Sequence, residues 1–204
     1  MKIIVGGHWN NAPNGWTALT EQEQDITKKL SWGDETIDVI FNEHVWEHLP
    51  LEGAIYFAKE SLRVLVKGGV LRIACPTIDK LIRFKGDDLG KHYCDTQTKH
   101  YYINEDEALK ALGFEGVREE PIMFMLDSLF KGHNHRMIWT STMIKKVLEK
   151  VGFSEVHICN PGETNFNKED CLERTIRGVD VDTLKEKFNL NVFDPETTVI
   201  EAKK

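Results

Sequence analysis

The sequence predicts an α/β protein with a mostly parallel sheet and helices on its faces. Three observations predict it. Residues 36–75 read as strand, amphipathic helix, glycine turn and strand, the pattern of a parallel crossover. Residues 140–159 repeat helix, glycine stop and strand. The apolar run Lys2–Gly7 (KIIVGG) ends in two glycines, as a buried strand does when it delivers the chain to a tight turn.

Each element has its own justification. Asn10–Gly15 (NNAPNG) is turn chemistry throughout, so no long amphipathic helix follows the first strand. Thr36–Asn42 (TIDVIFN) reads as the second clear strand. Pro50 opens a helix along which Ala54, Phe57, Ala58, Leu62 and Leu65 recur at helical spacing. Lys67-Gly68-Gly69 reads as its stop, and Val70–Cys75 (VLRIAC) as the next strand, ended by Pro76.

Residues 77–135 are irregular, with helices expected near 105–112 and 121–130. They read as an insertion or lid on a single domain spanning 1–204. Thr140–Val151 is a capped helix stopping at Gly152. Glu155–Cys159 and Thr197–Ala202 read as the last two strands, with residues 168–188 helical between them.

Composition excludes several classes. Hydrophobic content of 41% and charged content of 29% are ordinary for a soluble globular chain. A net charge of -7 argues against a general nucleic-acid binder, which needs clustered Lys and Arg. It weakens a stacking role for Trp9, Trp16, Trp32, Trp46 and Trp139, which read as packing residues. No apolar run approaches a membrane span, and MKIIVGGHW reaches glycine too soon for a secretory signal. Cys75, Cys94, Cys159 and Cys171 form no CxxC pair and read as reduced thiols of a cytoplasmic protein.

The segment HVWEHL, residues 44–49, fits the H-x-x-E-H pattern of one group of zinc peptidases. There the pattern lies within a long helix. Here His44 follows a strand directly, Pro50 starts the helix two residues past His48, and no downstream Glu stands out as a third ligand. A loop is expected, and no metal.

The order KIIVGG…GW…DITKKLSW…ETIDVIFNEHVWEHL…ESLRVLVKGGVLRIACP…HNHR…TSTMIKKVLEKVGF resembles the small class I S-adenosyl-L-methionine (SAM) dependent methyltransferases. It is closest to their type 11 group, often found beside surface-polysaccharide genes. The resemblance covers most of residues 2–83 and returns at 133–160 and 196–203, and its most specific part is 36–76. It implies a Rossmann-like, mostly parallel seven-stranded sheet with helices on both faces and ligands at the carboxyl ends of the strands.

The resemblance also implies roles. Gly6, Gly7 and His8 would form the loop against the cofactor's amino-acid moiety, with His8 where the family has glycine. Asp25 would accept from the adenine amino group, and the Ile26 backbone would face the ring. The acid that ends the family's second strand and binds the ribose hydroxyls is replaced by Thr20, with Glu21 or Glu23 as substitutes. Asn42 and Glu43 would contact the cofactor from the loop end. His44, whose unperturbed pKa lies near neutrality, would act as base or substrate contact. His133, His135 and Arg136 would close the acceptor pocket. The expected function is methyl transfer from SAM to a small molecule or sugar. The alternatives are a methyltransferase-like fold that has lost turnover and a zinc hydrolase built on His44 and His48. A dinucleotide oxidoreductase is disfavoured, because G-x-G-x-x-G is missing after the first strand.

Overall fold

The computed structural model describes residues 1–6, 12–19, 24–82, 107, 110–113, 126–127, 129–130, 132–173 and 196–204. The strands are β1 (Lys2–Gly6), β2 (Trp16–Leu19), β3 (Ile37–Glu43), β4 (Leu65–Pro76), β5 (Glu155–Cys159) and β6 (Thr197–Lys203). The helices are α1 (Leu51–Val64), α2 (Ile78–Ile82) and α3 (Ser141–Val151). One sheet runs in the order β2-β1-β3-β4-β6-β5. β2, β1, β3 and β4 are mutually parallel, and β6 enters antiparallel between β4 and β5.

This is a Rossmann-like α/β sheet, mostly parallel as expected with β6 alone reversed, and it corrects the expectation in strand number: the described residues form six strands rather than seven. Beyond β2 the edge is bare among the described residues, because residues 24–36 form turns instead of a further strand. The long helices α1 and α3 also share one face. Phe57 and Ala58 of α1 and Ile144 and Leu148 of α3 join Ile3, Ile40, Ile73 and Ile200 of the sheet in one core. On the other face Ile4, Phe41, Ala74 and Val199 meet Trp16, Cys159 and Leu172.

α1 ends earlier than the glycines suggest. Leu65 already has extended backbone and starts β4, so Lys67-Gly68-Gly69 forms a turn inside the strand region rather than the helix stop. Gly68 has φ +81°, and a Cβ on Gly69 would stand 3.0 Å from the Asp38 carbonyl oxygen. The glycines therefore serve a close approach of β4 to β3 and not a helix terminator. α3 is built as expected: the Thr140 hydroxyl accepts from the Met143 N–H at 3.1 Å, and Gly152, at φ 120°, ends it.

The residue pattern did not mark β2, and the resemblance alone placed a second strand ahead of Thr20; β2 pairs with β1 from Lys2↔Trp16 to Val5↔Leu19. The helix expected over 168–188 is a 3-10 turn at Lys168–Asp170 followed by irregular chain to residue 173, with the remainder outside the described residues. In the insertion, residues 107, 110–111, 126–127 and 129–130 are helical, in keeping with the two helices expected there.

Candidate functional site

The strand order reverses between β1 and β3. The chain leaves β1 toward β2 on one side and later returns to β3 on the other. In open α/β sheets the crevice at such a switch point, outside the carboxyl ends of the strands, is where ligands bind. Here it is bounded by Gly6 at the end of β1 and by Asn42, Glu43 and His44 at the end of β3.

Gly6 sits at φ +81°, and a Cβ there would lie 1.9 Å from Val45 Cγ2 and 2.7 Å from the Glu43 carbonyl oxygen. Only glycine permits this turn against the β3 loop. Gly7 and His8 lie outside the described residues, as do Thr20, Glu21 and Glu23.

Val5 and Gly6 pair with Asn42 and Glu43, which in turn pair with Ile73 and Ala74 of β4. Both side chains are buried, and alternation along the strand sends them to opposite faces. Among the described residues neither amide atom of Asn42 has a hydrogen-bond partner. An unsatisfied buried amide costs about 1–3 kcal/mol.

His44 has φ 50°, a left-handed backbone uncommon outside glycine, and its N–H donates to the Ala74 carbonyl at 2.9 Å. Its ring is held from two sides. Nδ1 stands 3.3 Å from Glu47 Oε1, and Nε2 stands 3.4 Å from Thr197 Oγ1 at the start of β6. His44 thus links β3, the following turn and β6.

Residues Trp46–His48 form a 3-10 turn rather than part of a long helix. Its Glu47 side chain is 1% exposed. Burial pushes this carboxyl up, but the His44 ring and, more weakly, His48 outweigh burial and hold it below the ordinary glutamate value. The Glu47 carbonyl accepts from the N–H groups of Arg136 and Met137 at 2.9 and 3.2 Å. That bond pair, together with the packing of Trp46 on Trp139 at 5.7 Å between ring centroids, docks residues 133–139 onto the turn.

The docking brings His135 beside His48, with ring centroids 4.8 Å apart and planes at 77°. His135 Nδ1 lies 2.9 Å from the Leu129 carbonyl. Burial lowers its pKa, although the Leu129 carbonyl pulls the other way. His133 lies 5.8 Å from His135, in a left-handed conformation. Arg136 is docked through its backbone and keeps its side chain exposed.

Asp25 and Ile26 belong to a separate turn. The Asp25 carboxylate accepts from the Thr27 N–H at 2.9 Å and the Thr27 hydroxyl at 2.6 Å, and Lys28 Nζ lies 3.1 Å away. These bonds, the Thr27 hydroxyl foremost, hold its pKa below the ordinary value. Ile26 is buried in the main core. The segment is fixed to α1 through Glu60, which accepts from the Leu30 N–H at 2.8 Å, and through Arg63, which donates to the Leu30 and Trp32 carbonyls.

The buried Cys75 and the half-buried Cys159 are not poised for chemistry. Burial, helped by the Glu47 and Asp79 carboxylates, pushes Cys75 well up, and burial with Glu201 takes Cys159 to about 12.

Two features escaped sequence reasoning. The approach of His48 to His135 joins residues far apart in the chain, and no spacing rule reveals it. The second is a buried charge network on the opposite face. Arg72 donates to Glu173, to Glu201 and, at 2.9 Å, to the Glu163 carbonyl. An Arg inside VLRIAC and a Glu inside TTVIEA, both in apolar strands, were the available signal.

No protein-family model matches the chain, and no curated protein does. Among solved structures, the chain is similar to a SAM dependent methyltransferase from Archaeoglobus fulgidus at 18% identity and a TM-score of 0.45, covering 93% of this chain and 68% of that one. It is similar to a candidate methyltransferase from Bacillus halodurans at 16% identity and a TM-score of 0.45, covering 100% and 91%. It is also similar to an O-methyltransferase family protein from Burkholderia thailandensis at 10% identity and a TM-score of 0.45, covering 93% and 36%. Among the described residues no helix is long and apolar enough to cross a membrane.

Proposed function

We propose that the chain is a SAM-dependent methyltransferase acting on a small molecule or a saccharide-type acceptor. One observation carries the reading. The glycine turn of β1 and the Asn42-Glu43-His44 end of β3 lie side by side at the switch point of the sheet. The sequence resemblance over 36–76 supplies the identity of the cofactor. The residues fit such a group, because Gly6 brings the backbone close without a side chain and the buried Asn42 amide has both its donor and its acceptor unused.

SAM, when bound, supplies an electrophilic methyl on a sulfonium. The chain's own task is to hold and orient, which accounts for much of such catalysis. Gly6 and Asn42 would hold the cofactor. His44 would take the acceptor's proton at Nε2, exchanging its 3.4 Å contact with Thr197 for the acceptor, while Glu47 fixes the ring through Nδ1. His133, His135 and Arg136 would border the acceptor.

A second reading, a degenerate relative of the fold that binds no cofactor or binds one without turnover, is favoured by Asp25. Its carboxylate is already engaged within its own turn instead of standing open for an adenine amino group.

A thermal melt with S-adenosylhomocysteine tests both readings. Ligand at a hundredfold excess over its dissociation constant adds about 2.7 kcal/mol, and each kcal/mol raises the midpoint by about 2–4 °C for a chain of this size. No shift at millimolar ligand overturns the cofactor reading. A shift with no methyl transfer across a panel of sugars and small hydroxyl or amine acceptors supports the second reading.

A further inference from the structure

We propose that Glu47, His48 and His135 form a binding site for a divalent first-row transition ion of the zinc class. Each residue offers one ligand atom, and these atoms lie within 4.8 Å of one another. Glu47 Oε1 and His48 Nε2 stand 4.0 Å apart. Ligands bonded to one ion at about 2.1 Å in a tetrahedron stand roughly 3.4 Å apart, so small side-chain rotations close the set.

The chemistry of each group suits a ligand. A carbonyl oxygen can only accept, so the bond to Leu129 places the His135 proton on Nδ1 and leaves the Nε2 lone pair available. This is the outer bond that commonly orients a metal-bound imidazole. Glu47 is buried, its Oε1 stands 3.3 Å from His44 Nδ1, and among the described residues neither oxygen has a hydrogen bond of full geometry. A buried carboxylate so placed is stabilised further when a cation meets it. His44 lies on one side of it, and the site supplies the other. Two imidazoles and a carboxylate match the ligand preferences of zinc, and three protein ligands leave a coordination position open.

The set differs from the one that the H-x-x-E-H pattern suggested. His44 supports Glu47 instead of ligating, and the third ligand arrives from residue 135, through docking of its segment on the Glu47 carbonyl. A 3-10 turn, not a helix, presents Glu47 and His48. The proposal does not depend on the methyl-transfer reading, because metal uptake and S-adenosylhomocysteine binding are read separately.

The test is direct metal binding to the chelator-treated full chain. Zn2+ is titrated by calorimetry, and Co2+ serves as the spectroscopic probe. The expected result is saturable uptake of one equivalent, with the visible bands of a low-coordinate nitrogen and oxygen site. Glu47→Gln, His48→Ala and His135→Ala should each lower affinity by more than the roughly 10- to 100-fold that loss of an outer partner causes. His157→Ala, outside the cluster, should bind as the parent does. Glu47→Gln keeps the backbone carbonyl that docks residues 136 and 137, and metal-free melting of all four variants checks that they fold. Absence of saturable uptake overturns the proposal. So does uptake that survives in folded His48→Ala and His135→Ala, or uptake lost in His157→Ala alone.

Discussion

Arg72 of β4 and Glu201 of β6 are direct partners in the antiparallel ladder, and their side chains are 1% and 2% exposed. The Arg72 guanidinium also meets Glu173 and the Glu163 carbonyl. Glu201 further accepts from the Thr164 hydroxyl at 2.6 Å and the Asn165 N–H at 2.8 Å. Burial pushes the Glu201 carboxyl up, but these donors together with Arg72 hold it below the ordinary value. The network ties residues 160–173 over the face of the sheet that α1 and α3 leave uncovered.

Arg72→Leu should therefore destabilise the chain by about 3–5 kcal/mol, because two buried carboxylates lose their cation. Urea unfolding checks this. The triple variant Arg72→Leu, Glu173→Leu, Glu201→Leu should recover part of the loss, because no unpaired charge remains. A triple variant less stable than Arg72→Leu would contradict this account.

Asp79 links α2 to α3. Its carboxylate accepts from the Ser141 N–H at 2.9 Å and the Ser141 hydroxyl at 2.6 Å. Burial raises its pKa, but the Ser141 bonds outweigh burial and depress it. A carboxyl with a depressed folded-state pKa contributes stability that is present above its unfolded value and lost as pH falls through the folded value. Asp79→Ala should cost about 0.5–2 kcal/mol at neutral pH, the range of a helix cap. The gap between parent and variant should shrink as pH falls below the ordinary aspartate value of 3.8. A gap independent of pH would refute the assignment.

Gly6→Ala should distort the candidate site as well as the fold. A left-handed backbone alone costs about 1–2 kcal/mol for an alanine. The contacts with Val45 and with the Glu43 carbonyl oxygen add to that. Adding Val45→Ala should restore only part of the melting midpoint, since the Glu43 oxygen stays 2.7 Å from the new Cβ. Full restoration would show that backbone conformation contributes nothing.

Asn42→Leu separates stability from binding. Replacing an unsatisfied buried amide by an apolar group of similar size should leave the ligand-free midpoint unchanged or raise it. The same variant should lose the S-adenosylhomocysteine shift. A fall in the ligand-free midpoint would indicate that the amide stabilises the fold itself.

The crossover from β3 through α1 to β4 was legible because apolar spacing and β-branched runs act locally. The end of α1 was misread. Val64 and Leu65 continue the apolar pattern, and the demand for close contact between β4 and β3 decides where the helix stops. β2 was hidden from the residue pattern, though not from the resemblance, because Trp16–Leu19 is short and only partly buried, so little alternation marks it. At the site, Gly6 and the end of β3 could be read from local sequence, as could HNHR as an element. The meeting of His48 with His135 could not, since it depends on a backbone docking that joins two distant segments.

β6 enters between β4 and β5, so β4 and its neighbour come from widely separated parts of the chain. Arg72 and Glu201 are 129 positions apart. Until that late strand docks, the stretch Leu71–Cys75, with Arg72 still unpaired by Glu201, presents an open edge. Closing so long a loop is slow. An uncovered edge of this kind invites misassembly, and the strand that covers it also delivers Thr197 to His44. Completion of the candidate site and protection from misassembly are therefore one event.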